Sequence, residues 1–147
     1  MKEVSIYIVT GIKGRWQQDG HIGYALEYYK ENSKYPAVIK EVVPVQQQNE
    51  NRSTLEALIM ALHRMREKCI LTVYTESKYL YNGYEEAEYV KRWKQNDWTR
   101  SDGHEIKNRD KWQELDRLMQ GNLVRILLNQ RNAYTESLRE EIKIKER

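Results

Sequence analysis

The stretch Asn51–Leu80, NRSTLEALIMALHRMREKCILTVYTESKYL, decides the fold. Leu55, Leu58, Ile59, Leu62 and Met65 recur at helical spacing and make one apolar stripe. Ser53 followed by Glu56 fits a capping box, so the spacing predicts a helix over 53–67 with Thr54 in its first turn. Ile70, Leu71, Val73 and Tyr74 form a β-prone run too brief for another helix, and predict a strand over 70–75. Glu76 then stands at the C-terminal end of that strand. In an open sheet, ligands gather at the carboxyl ends of the strands. Thr54 and Glu76 are therefore expected to face one cleft. The plain alternative is a helix packed on a sheet with no site at all.

Working outward, VSIYIVT over 4–10 alternates, with Val4, Ile6, Ile8 and Thr10 on one face and Tyr7 and Val9 on the other. HIGYALEYYKE over 21–31 and AVIKEVVPVQ over 37–46 predict two further strands, Pro44 favouring an edge or a strand end. Three strands at this spacing imply an antiparallel meander. The helix that follows crosses over, so part of the sheet is expected to be parallel. Beyond Glu76 the pattern predicts a short helix over 77–82. A second follows over 84–94, with Tyr89, Val90 and Trp93 inward. A third over 108–119 is capped by Asn108 and stopped by Gly121. A fifth strand over 123–129 and a charged last helix over 133–147 complete the chain.

A length of 147 residues fits a single domain spanning 1–147. No apolar run approaches the roughly 20 residues of a membrane helix, which argues against a membrane partner. The N-terminus lacks a signal peptide's apolar region, so a cytoplasmic location is expected. The single Cys69 excludes an internal disulfide framework and any multi-cysteine metal site. His21, His63 and His104 show no metal-ligand spacing. A net charge of +3 permits nucleic-acid binding without arguing for it. Eleven Tyr and four Trp stand against no Phe. Aromatics with polar handles suit base or sugar contacts, and equally suit ordinary half-buried positions.

Several motifs carry a family resemblance. Gly11 follows the first strand, Gly20 and Gly23 open the second, and Asn51-Arg52 precedes the helix. Thr75-Glu76-Ser77-Lys78-Tyr79 ends the fourth strand, and Trp93 and Trp98 flank a basic run. Lys107-Asn108-x-Asp110-x-Trp112-Gln113-x-Leu115-Asp116 is the most specific stretch. Together they resemble the type 1 ribonuclease H family over about residues 4–142. The resemblance implies an α/β fold. Its five-stranded mixed sheet has strands 1–3 antiparallel and strands 4–5 parallel, flanked by helices. It also implies two-metal hydrolysis of RNA–DNA hybrids, in which four carboxylates hold two Mg²⁺ or Mn²⁺ ions.

Carried onto this chain, the four carboxylate positions are Thr10, Thr54, Glu76 and, on the last helix, Glu141 with Glu140 and Glu136 nearby. The family's histidine before that helix has no counterpart; Arg131 stands at about its place. Two unit charges 4 Å apart interact by about 4 kcal/mol at an effective dielectric of 20. A millimolar affinity is itself only about −4 kcal/mol. Losing two of four carboxylates is thus enough to empty the site. The expectation is a catalytically degenerate member with no resident metal, Glu76 and Glu141 being weak candidates only, and Mg or Mn the cofactor if it is active.

The family's binding surface need not vanish with the metals. Lys13, Arg15, Asn51, Lys78, Lys91, Arg92, Trp93, Lys94, Trp98 and Arg131 are expected to contact an RNA–DNA hybrid or another duplex. The run Lys91–Lys94 is equally readable as a solvated helix face. Two other readings stay open. One is a protein-interaction module with a Tyr-rich surface meeting a protein partner. The other is an active hybrid endoribonuclease whose metal site is rebuilt with Asp19, Glu50 or Glu136.

Overall fold

The computed structural model describes residues 1–147. Its strands are β1 (Lys2–Thr10), β2 (Gln18–Tyr28), β3 (Ala37–Gln48), β4 (Cys69–Thr75) and β5 (Leu123–Leu128). They form one sheet in the order β3-β2-β1-β4-β5. β1–β2 and β2–β3 pair antiparallel, while β1–β4 and β4–β5 pair parallel. The helices are α1 (Glu50–His63), α2 (Lys78–Tyr84), α3 (Tyr89–Gln95), α4 (Arg109–Met119) and α5 (Ala133–Lys145). This is the five-stranded mixed sheet that the family resemblance implied.

Alternation in β1 sorts its side chains onto two faces. Val4, Ile6 and Ile8 enter the larger core with Leu55, Leu58, Ile59 and Leu62 of α1 and Trp112 and Leu115 of α4. Tyr7 and Val9 join Ala25 in a smaller core beneath Leu138 and Ile142 of α5. Burying one such aliphatic side chain contributes roughly 1.5–3 kcal/mol, so the α1 stripe outweighs its helix propensity. Because β1 and β4 run parallel, their carboxyl ends share one edge of the sheet. The N-terminus of α1 meets the β1–β2 loop there, its Glu50 N–H donating to Gly14 O at 2.9 Å.

Local boundaries differ from expectation in ways that matter for the site. α1 starts at Glu50, not Ser53, because the Asn49 side chain accepts from Arg52 N and supplies the cap. Ser53 and Thr54 therefore lie inside the helix, beyond its first residues, and both are buried. The single helix expected over 84–94 starts only at Tyr89. The chain breaks after Tyr84, Glu85 reaching across to accept from Ile126 N at 2.8 Å and Glu88 adopting a left-handed conformation. Tyr89, expected inward, is exposed, while Val90 is buried. Asn108 stands at the N-cap position of α4, but its side chain makes no cap hydrogen bond.

The most specific sequence stretch forms a clasp between α1, α2 and α4. Arg52 on α1 grips Asp110 through two hydrogen bonds, at 3.0 and 2.7 Å, and Asn108 through a third at 3.2 Å. The Tyr79 hydroxyl on α2 accepts from Trp112 Nε1 at 2.9 Å and from Asn108 Nδ2 at 3.2 Å. A Cβ on Gly83 would stand 2.4 Å from the Trp112 ring, so α2 can lie against α4 only with glycine there.

Candidate functional site

Thr10, Thr54 and Glu76 do meet. They line one small notch where β1 and β4 end beside α1, together with Lys13, Glu50 and Ser77. Its volume of about 40 Å³ has room for a few waters and none for a nucleotide. The notch is a point on a surface; anything larger binds across its lip.

The polar groups of the notch are already engaged. Ile12 N–H donates to Thr10 Oγ1 at 3.0 Å. Thr10 and Ser53 share a hydrogen bond at 2.7 Å, and Ser53 Oγ donates to Glu50 O at 3.0 Å. Since a hydroxyl has one proton, Thr10 is the donor in the shared bond. The chain Ile12–Thr10–Ser53–Glu50 ties the end of β1 to the second turn of α1. Thr54 Oγ1 also donates to Glu50 O, at 2.9 Å. The Glu50 carboxylate accepts from Gly14 N at 2.8 Å. Glu76 is hydrogen-bonded and ion-paired to Arg139 of α5.

Arg139 is the contact of the notch that sequence reasoning missed. A signal for it exists: it lies one turn beyond Thr135 and Glu136, which line a second hollow with Glu76, Asn129, Gln130 and Arg131. Once α5 docks with Leu138 and Ile142 inward, Arg139 comes round to the end of β4. Glu141, expected at the fourth carboxylate position, does not join this group. It pairs with Lys40 of β3 at 3.3 Å, because two helical positions beyond Arg139 is about 200° of rotation. Glu136 lies nearer the notch but pairs with Arg131 at 3.6 Å. Asp19 is held away, accepting from Gln47 N and Nε2 on β3. Nowhere does the chain gather three His, Cys, Asp or Glu side chains in a metal-binding group.

The expected cations separate into two sets. Lys13 and Arg15 of the β1–β2 loop and Lys78 at the head of α2 are exposed, and none forms an ion pair. Asn51 is exposed in the first turn of α1. In the basic run of α3, Lys91 pairs with Glu88 at 3.8 Å and Lys94 with Asp116 at 3.3 Å. Arg92 stands 6.0 Å from the centre of the Tyr89 ring. Trp93 and Trp98 pack against the larger core, Trp93 meeting Trp112 edge-on at 5.6 Å. These two indoles spend their apolar area on packing. The three histidines each lie beside a carboxylate, His21 with Glu146, His63 with Glu114 and His104 with Asp102.

A family model described as RNase H matches residues 1–127. The chain is 37% identical over 118 residues to a Ribonuclease H of Acetivibrio thermocellus, covering 80% of this chain and 75% of that one. It is 42% identical over 85 residues to a Ribonuclease H of Francisella tularensis subsp. novicida, covering 57% of this chain and 55% of that one. The fold matches LC9-RNase H1, a type 1 RNase H with the type 2 active-site motif, with a TM-score of 0.79 at 21% identity over 98% of this chain and 72% of that one. LC11-RNase H1, solved with an RNA/DNA hybrid, gives a TM-score of 0.60 at 15% identity, covering 98% of this chain and 99% of that one. From the matched sheet order and the match over residues 1–127, the chain belongs to the RNase H family.

Proposed function

We propose that this RNase H family member binds an RNA–DNA hybrid or related duplex across the notch without cutting it. The observation that carries the reading is Arg139 on Glu76: a cation of the chain itself sits on the carboxylate that a metal would need. The other donors point the same way. Mg²⁺ and Mn²⁺ favour charged oxygen ligands. Thr10 and Thr54 offer only neutral hydroxyl oxygens, Thr10 already accepting from Ile12 N, and Glu50 accepts from Gly14 N. This donor set does not fit two divalent cations.

Binding is supported by what surrounds the notch. Lys13 lines the notch, and Arg15 and Lys78 lie within two residues of lining positions; all three are exposed and unpaired, suited to phosphate. Two structural neighbours were solved with nucleic acid, LC11-RNase H1 with an RNA/DNA hybrid and a foamy viral protease-reverse transcriptase with dsDNA. The active-nuclease reading draws on the relatives named Ribonuclease H and on Glu76, which lines one hollow with Glu50 and another with Glu136. One experiment separates the two. With a labelled RNA–DNA hybrid, binding is expected to weaken steeply with salt, and Lys13→Ala with Lys78→Ala lowers the salt slope by about 2. No product forms with Mg²⁺ or Mn²⁺. Metal-dependent product that Glu76→Gln abolishes overturns the reading in favour of a nuclease. Absence of any hybrid binding at low salt leaves the protein-interaction reading, for which exposed Tyr29 and Tyr35 are the first surface to test.

A further inference from the structure

Trp16 is the most exposed tryptophan of the chain, with 76% of its surface open to water. An indole normally buries most of its area, so one held out in solvent forgoes that stabilisation. The β1–β2 loop that carries it is nonetheless tied down. Gly14 exchanges two hydrogen bonds with Glu50, N–H to carboxylate at 2.8 Å and carbonyl to backbone N–H at 2.9 Å. Gly14 sits at φ +84°, a conformation that suits glycine. Gln18 Nε2 donates to Lys13 O at 2.9 Å and to Trp16 O at 3.1 Å. Asn49, the α1 cap, donates to Arg15 O at 3.4 Å. The loop is ordered by its backbone and by α1, while its large side chain packs against none of the core.

The Arg15 guanidinium stands 5.9 Å from the centre of the Trp16 ring, within cation–π range. Lys13, two residues earlier than Arg15, lines the notch itself. The loop thus offers a flat π-surface beside two cations, at the lip of the surface proposed to hold a duplex. We propose that Trp16 and Arg15 form a stacking platform for an unpaired nucleobase, so that the ligand is a duplex extended by a single strand. The reasoning is geometric. Inside a duplex every base face is covered by its neighbours, so an exposed indole finds a free base face only on an unpaired base or at a duplex end, and the cations Lys13 and Arg15 beside it suit the backbone of a strand that continues past that end. A pre-ordered loop binds without the entropy cost of ordering it. The proposal rests on the nucleic-acid reading and narrows it to one substrate class.

The test compares two fluorescent probes, a blunt-ended RNA–DNA hybrid duplex without a loop and the same duplex with a single-stranded extension of about six nucleotides. Stacking of one base on an aromatic side chain is worth about tenfold or more in affinity. Trp16→Ala is expected to weaken binding of the extended probe about tenfold and leave the blunt probe unchanged. Trp16→Phe should keep most of the preference, since it retains a π-face. Equal loss on both probes, or no loss on the extended one, overturns the platform while leaving hybrid binding intact. If the unaltered protein binds neither probe, the nucleic-acid reading falls and the platform with it.

Discussion

Converting the notch into a metal site tests the account of it most directly. The perturbation is Thr10→Asp with Thr54→Glu, made alone and again with Arg139→Ala. The first pair puts two new carboxylates beside Glu76 and Glu50 in a space of about 40 Å³. Without metal, both variants should be less stable than the parent, because like charges crowd one notch. Arg139 already satisfies Glu76, and this half-exposed pair contributes under about 1 kcal/mol to stability. Its guanidinium nevertheless competes with a divalent cation for the same oxygen. Three or four converging carboxylates should give a dissociation constant near millimolar, about −4 kcal/mol. At about 10 mM Mg²⁺ that stabilises the folded state by about 1.4 kcal/mol. For a domain of this size the melting temperature rises by roughly 3–6 °C. Thermal melts with and without Mg²⁺ are the assay. The triple variant should show the full rise, the double variant a smaller one and the parent none. A triple variant that melts cooperatively but ignores Mg²⁺ would refute the reasoning, since Thr10, Thr54 and Glu76 would then not converge on a point that a cation can occupy.

Tyr79→Phe removes the oxygen that accepts from both Trp112 Nε1 and Asn108 Nδ2, so chemical denaturation should show a loss of about 1–3 kcal/mol with fold retained. An unchanged midpoint would show that the clasp does not hold α2 to α4. Asp110 is held below the usual carboxylate range first by hydrogen bonds from Arg52. A carboxylate of lowered pKa contributes stability that is present above about pH 4 and lost as pH falls through its folded pKa. The parent should therefore lose stability on acidification below about pH 4 by more than Asp110→Asn does. The difference is under about 1 kcal/mol because the pair is partly exposed. Parallel acid limbs in the two proteins would count against this pair.

The motif Lys107-Asn108-x-Asp110-x-Trp112 carried the family resemblance, and its role in the structure is to hold helices together. Its residues bind one another and Arg52 and Tyr79, and do not line the notch. The basic run Lys91–Lys94 read as a contact set or as a solvated helix face; in the structure Lys91 and Lys94 pair with Glu88 and Asp116, and Trp93 and Trp98 are partly buried against the core. Charge and aromaticity are properties of composition, whereas availability depends on which neighbours arrive. Trp16 shows the converse. Like Trp93 it follows an arginine, but it lies in the β1–β2 connection rather than on a helix face, and the loop leaves it in water.

Periodicity and β-propensity marked the strands, the helices and the two faces of β1, because those signals are local and the hydrophobic effect reads them the same way in any compact chain; the full strand pairing came from the family resemblance. The ends of β1 and β4 were legible for the same reason, which set Thr54 and Glu76 toward one cleft, while Thr10 entered through the family resemblance; all three line the notch. Which groups bond to them was decided by tertiary structure alone. Thr10 meets Ser53 across 43 residues of chain, and Glu76 meets Arg139 across 63. On α5 the choice between Arg139 and Glu141 turns on about 200° of helix rotation. That rotation is set by Leu138 and Ile142 packing under the sheet beside Tyr7, Val9 and Ala25, far from either charge in sequence.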